Sequence, residues 1–152
     1  MVRVGIVMGS KTDTDLIQPA VDMLKQLGID YELSIISGHR SPEKLREYGL
    51  KAEERGLEVI IAAAGGAAHL PGILASWTTL PVIGVPLPTS ELKGIDALLS
   101  IAQMPGGVPV ACVGIGKSGA KNAALLAAQI LGIRDDGIKK AYSKYKMELA
   151  EK

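Results

Sequence analysis

Short runs of β-branched and other apolar residues alternate with longer stretches in which apolar positions recur every three or four residues. Strands are predicted near residues 2–8, 31–36, 58–63, 81–85 and 109–114. Several of these runs are apolar almost without interruption, the pattern of strands covered by helices on both faces. Leu16, Ile17, Ala20, Val21, Met23, Leu24 and Leu27 draw one helical face within Asp13 to Leu27, and Gly28 stops it. Pro42 to Gly56 reads as a charged amphipathic helix with Ser41 as N-cap and Pro42 at its first position. Shorter helices are expected from Pro71 to about Trp77 and from Leu92 to Ala102. Asn122 to Leu131 is apolar almost all round, which calls for burial on several sides, by the sheet and by a neighbouring subunit. A last, charged helix covers Asp135 to Lys152, its lysines toward the end that the helix dipole favours.

Strands and helices in strict alternation specify βαβ units, and right-handed crossovers leave few arrangements for them. The fold class expected is α/β, a three-layer doubly wound parallel sheet of about five strands, flavodoxin-like, with an extra C-terminal helix. The 152 residues suffice for one substantial core, so residues 1–152 read as a single domain without linker, repeat or low-complexity segment.

Composition narrows the partners. With 17 basic and 16 acidic residues the net charge is +1, so no charge excess points to nucleic acid or an anionic membrane. Phe is absent and the aromatics are Trp77 and four tyrosines, a poor supply of walls for a flat cofactor such as flavin. Cys112 is the only cysteine, which excludes an intrachain disulfide, fits a reducing compartment, and reads as a buried strand residue. The chain enters a strand pattern at Met1 to Met8 without a leader, and its apolar runs are too short to span a bilayer. A cytoplasmic protein is expected.

The candidate chemistry collects where predicted strands end, the edge at which open parallel sheets bind ligands. After the first strand, Gly9 permits a tight turn while Ser10, Thr12, Thr14 and the helix amides offer donors to a phosphate; the plainer reading is an N-cap by Thr12 or Asp13. Asp13 would repel phosphate but accept from ribose hydroxyls. Arg40, directly after His39, offers a bidentate grip on the same phosphate. Both histidines, His39 and His69, lie in loops of small residues that follow buried strands, and imidazole ordinarily titrates near neutrality. Structural histidines that cap loops or helices are the alternative. Ala62 to Ala68, with Gly65, Gly66 and Ala67 at its centre, has almost no side-chain volume, so a ligand carboxylate or carbon dioxide can approach backbone amides.

Two further patterns are set aside. Ala111-Cys112-Val113-Gly114-Ile115-Gly116-Lys117-Ser118 satisfies a permissive P-loop pattern, but no strand ends in an aspartate suited to magnesium and the motif closes the sheet instead of opening it. A phospho-receiver domain needs an aspartate after strand three, where alanine and glycine stand. Two histidines without paired cysteines or nearby carboxylates make an incomplete metal set.

Met8 to Asp13, Ser37 to Pro42, Ala64 to Gly72 and Gln103 to Val110 occur in order, and with these motifs nearly the whole chain resembles class I N5-carboxyaminoimidazole ribonucleotide mutase, the PurE family. The resemblance implies a single catalytic domain that moves a carboxylate from nitrogen to carbon on an aminoimidazole ribonucleotide in purine biosynthesis. It implies His39 as catalytic acid-base, with substrate contacts at Ser10, Asp13 and Arg40. Thr12 joins the phosphate grip, and Ser37, Gly38, Gly65, Gly66 and Ala67 line the carbon dioxide pocket. His69 orients the ring or its loop. It further implies no metal, nucleotide or organic cofactor, and a homo-octamer with active sites at subunit contacts. Gly38 and Ser41 stand where the family usually has alanine and threonine. The alternatives are a direct carboxylase using carbon dioxide, whose members carry lysine where Arg40 stands, and a non-catalytic phosphate- or flavin-binding module.

Overall fold

The computed structural model describes residues 1–152. Five parallel strands form one sheet in the order β2-β1-β3-β4-β5. They are β1 (Val4–Met8), β2 (Tyr31–Ile35), β3 (Val59–Gly65), β4 (Val82–Leu87) and β5 (Ala111–Cys112). The helices are α1 (Thr14–Gln26), α2 (Pro42–Lys51), α3 (Leu70–Ser76), α4 (Ile95–Ala102), α5 (Gly116–Leu131) and α6 (Asp136–Ala150). This is the doubly wound arrangement, and the chain reverses its direction of winding between β1 and β3.

Period-two alternation divides the core. Val4, Ile6 and Met8 of β1 join Val59, Ile61 and Ala63 of β3 beneath α1 and α5, whereas Val7, Ile60 and Ala62 face Leu45 and Tyr48 of α2 and Leu74 of α3. Ala97 and Ile101 place α4 on that second face. Alanines 120, 123, 124, 127 and 128 make one fully buried stripe along α5, which lets α1 and the sheet approach it closely. Ile138, Ala141 and Tyr145 bring α6 onto the same cluster, so α5 is covered in part within its own chain, while Leu125, Leu126 and Ile130 stay half-buried. No helix is long and apolar enough to cross a membrane.

Several boundaries depart from expectation for local reasons. β5 spans two residues instead of six, because Pro109 cannot donate to a ladder and Gly114 turns away at φ +128°. α5 starts six residues early, at Gly116, since Gly119 lets the first turn lie against the Gly114 carbonyl. The P-loop-like glycines therefore serve close packing of backbone on backbone. α4 begins at Ile95 because Lys93 (φ +54°) and Gly94 (φ +94°) are left-handed, and α2 ends at Lys51 in turns that close at Gly56. Ser41 occupies the N-cap position of α2, but its side chain makes no capping bond.

Candidate functional site

The carboxyl ends of β1, β2, β3 and β4 meet at a pocket of about 430 Å³. Ser10, Thr12, Asp13, Ser37, Gly38, His39, Gly65, Ala67 and His69 all line it, as expected of them from the sequence. Arg40 and Gly66 do not.

The β1 turn is built by its own hydroxyls. Ser10 is extended, its Oγ accepts from the Thr12 N–H at 3.3 Å and lies 2.9 Å from Thr12 Oγ1, and its carbonyl accepts from the Asp13 N–H at 3.1 Å. A single 3-10 turn, Lys11–Asp13, results. Thr14 drops out of the expected hydroxyl cluster, because its Oγ1 donates to the Lys11 carbonyl at 2.6 Å. Asp13 follows at the N-cap position of α1 without making a capping bond. It is the one buried charged residue of the chain, at 9% exposure. Burial pushes its carboxyl above the usual carboxylate range, against a smaller opposing pull from a backbone hydrogen bond at Ser10. A buried carboxylate that neither caps a helix nor pairs with a cation is poised to accept from a ligand.

After β2, the Ser41 N–H donates to the Ser37 carbonyl at 2.8 Å and closes a turn through Gly38, His39 and Arg40. Ser37 Oγ accepts from the Arg40 N–H at 3.2 Å and from Arg40 Nε at 3.3 Å. These bonds hold the exposed guanidinium outside the pocket wall. Gly38 has α2 and α3 on either side: a Cβ there would lie 3.3 Å from Leu45 Cδ2 and 3.7 Å from Leu70 Cα.

Ala64 and Gly65, expected in a loop, extend β3 and pair with Pro86 and Leu87. Gly66 (φ +59°) then turns the chain and has nothing within 4 Å of where a side chain would be, which takes it out of the wall. Ala67 and Ala68 return to the pocket and bring His69 to the N-cap position of α3, where it makes no capping bond. Instead, His69 Nδ1 lies 2.8 Å from His39 Nε2, with the rings edge to face at a centroid distance of 5.0 Å and an interplanar angle of 78°. One proton lies between these two nitrogens, and either can be its donor. His39 Nδ1 and His69 Nε2 remain free for a ligand or solvent. Both rings are exposed in the single chain.

Gly9, Ala64, Ala68, Leu70 and Thr89 also line the pocket. The first four belong to motifs whose other members carry the polar groups. Thr89 belongs to none, and its one sequence signal is its place four residues past the end of the strand expected at 81–85. The Gln103 to Val110 motif stays outside the pocket. Its Met104 Sδ comes within 2.8 Å of where a Cβ on Gly72 would be. No group of three or more His, Cys, Asp or Glu side chains is placed to hold a metal ion. Cys112 is half-buried on the edge strand, and burial pushes its thiol up, away from the reactive thiolate.

The chain is similar to known proteins along nearly its whole length. The model of the family described as AIR carboxylase matches residues 3–152. N5-carboxyaminoimidazole ribonucleotide mutase of Saccharolobus solfataricus is 62% identical over 88% of this chain and 84% of its own length. The protein of that name from Thermotoga maritima is 58% identical over 96% of this chain and 84% of its own. The crystal structure of Treponema denticola PurE superimposes with a TM-score of 0.88 at 30% identity, covering 99% of this chain and 93% of that one. By the family model and by identity along nearly its whole length, the chain belongs to the AIR carboxylase family.

Proposed function

We propose that this protein is an N5-carboxyaminoimidazole ribonucleotide mutase, an isomerase of purine biosynthesis whose one catalytic domain spans residues 1–152. The observation that carries the reading is a hydrogen-bonded histidine pair on a pocket that also presents the hydroxyls of Ser10 and Thr12 and a buried carboxyl without a cation partner. Ser10 and Thr12 bind the ribose phosphate, and Arg40 leaves Ser37 to grip it from outside the wall. Asp13 accepts from the sugar hydroxyls.

The ring then lies against His39. As the carbamate N–C bond breaks, its electron pair stays on nitrogen, which takes a proton from His39, and carbon dioxide is released into the space bounded by Ser37, Gly38 and Gly65 to Ala67. Gly66 only turns the chain between Gly65 and Ala67 and is itself no part of that wall. Carbon 4 then attacks carbon dioxide, a C–C bond forms, and the carbon 4 proton passes to His39. The proton account closes without an external acid or base. His39 Nε2–H donating to His69 Nδ1 fits both charge states of the pair and leaves His39 Nδ1 to carry the mobile proton. General acid-base help of this kind is worth about 10²–10⁴-fold, and confinement keeps recapture from becoming bimolecular. The steps call only for a proton carrier and a confined gas, so no metal or organic cofactor enters them.

The assembly in this reading is a homo-octamer whose contacts close over the pocket, and its compartment is the cytoplasm. Exposure of both imidazoles in the single chain, and of Ile95 and Leu99 on one face of α4, supports such contacts. The test is to mix the protein with the carbamate nucleotide and follow the carbon 4 carboxylate, with and without bicarbonate. Conversion without bicarbonate is expected. Conversion only of the decarboxylated nucleotide with added bicarbonate would make the protein a direct carboxylase, and no conversion of either would leave a binding module.

A further inference from the structure

Thr89 is presented to the pocket by a stiff piece of chain. Pro86 and Pro88 fix φ on either side of Leu87, and the Thr89 N–H donates to the Leu87 carbonyl at 2.9 Å. Pro88 is hemmed in by two glycines: a Cβ on Gly94 would lie 3.4 Å from Pro88 Cα, and one on Gly116 would lie 3.6 Å from its ring. The Thr89 side chain leans on Gly65, the last residue of β3. A Cβ on Gly65 would run into Thr89 Oγ1 and sit 3.2 Å from Thr89 Cβ and 3.3 Å from the Leu87 carbonyl oxygen. Gly65 is not among the residues with positive φ, so its backbone would accept an alanine. The room taken by the Thr89 hydroxyl is what excludes one. That hydroxyl donates to no group of the chain, whereas its neighbour Ser90 is tied to Asp96 Oδ2 at 2.6 Å.

We propose that Thr89 contacts the substrate, its hydroxyl donating a hydrogen bond to an oxygen of the migrating carboxyl group and holding it beside Gly65. Position decides the ligand group. The phosphate-binding hydroxyls rise from β1, two strands away in the sheet order, whereas Thr89 stands against the small-residue wall where the free carbon dioxide is confined. Carboxyl oxygens are acceptors, and a threonine hydroxyl supplies the matching donor. This proposal rests on the carboxylate-transfer reading given above.

The experiment supplies the carbamate nucleotide in isotopically labelled bicarbonate and measures turnover, label in the product and release of decarboxylated nucleotide. Thr89→Val keeps the shape and removes the donor; Thr89→Ala is a second donor-free variant, and Thr89→Ser restores the donor. Thermal midpoints of all three serve as folding controls. Thr89→Val and Thr89→Ala are expected to lose about tenfold in kcat with little change in KM, to admit more label and to release more decarboxylated nucleotide, with Thr89→Ser close to the parent. Gly65→Ala, which displaces the hydroxyl, should behave alike, and combining it with Thr89→Val should add little. Parental turnover and labelling in Thr89→Val, or equal impairment in Thr89→Ser, would overturn the proposal while leaving the mutase reading intact. Failure of the parent protein to convert the carbamate would overturn both.

Discussion

A single nitrogen on His69 decides what that residue contributes. Its Nδ1 faces His39 Nε2 at 2.8 Å, and in the proposed mechanism it offers the lone pair that fixes the tautomer and plane of the neighbouring ring. His69→Ala should lower kcat by about tenfold with KM little changed, and His69→Asn, which keeps an acceptor, should recover part of the loss in steady-state kinetics. Asp13 sets function against stability. Because burial raises its carboxyl pKa, the folded chain holds that proton more tightly than the unfolded chain does. Stability is then full below about pH 4 and falls as the pH rises through the raised value. Asp13→Asn removes that cost and keeps an oxygen for the Ser10 N–H. Its thermal midpoint should exceed the parent's at pH 7, with the gap closing toward pH 4, while KM rises about tenfold or more through loss of a charged acceptor for the sugar. Ser10, Asp13 and His39 were legible in the sequence because a polar residue just past a parallel strand has one edge of the sheet to face. Arg40 and Gly66 were not: a hydrogen bond to Ser37 and a left-handed φ, which residue type does not encode, turn them away from the wall.

Among the elements, legibility followed the length of the hydrophobic pattern. β1 to β4 and α1 to α3 came out within a few residues, since each buries a long apolar face whose period is unambiguous. The region from Leu92 to Ser118 was harder, because glycine and proline there act through close approach in three dimensions. Gly114-Ile115-Gly116-Lys117-Ser118-Gly119 has the look of a phosphate loop, yet a Cβ on Gly119 would strike the Gly114 carbonyl oxygen. Gly119→Ala must therefore push the first turn of α5 off β5, an overpacking cost of about 1–3 kcal/mol. Urea unfolding should show the lower midpoint with an unchanged slope. Because α5 also buttresses Pro88 at the pocket rim, carboxylate transfer should weaken as well, whereas a phosphate loop would show its loss in nucleotide binding.

At the scale of the molecule, an open pocket and an apolar outer stripe ask for the same remedy. Ile95 and Leu99 are both 53% exposed, and their spacing of four residues puts them on one side of α4, with Leu92, 64% exposed, in the turn that precedes it. Side chains of this size gain about 1.5–3 kcal/mol each when fully buried, enough that a symmetric assembly repeating the contact is held firmly. The same assembly would screen the exposed histidine pair from water, where released carbon dioxide would otherwise be lost. Ile95→Asp with Leu99→Asp places two charges per chain in that contact while touching neither the pocket wall nor the core. Sedimentation should show the parent as one species near the mass of eight 15.9-kDa chains and the double variant as smaller species. Turnover should fall with dissociation and release of decarboxylated nucleotide should rise, because the pocket then stays open during the interval between the two carboxylation states. A small species that keeps full, tightly coupled turnover would show that one chain confines carbon dioxide alone, and the stripe on α4 would then owe its exposure to something other than the reaction.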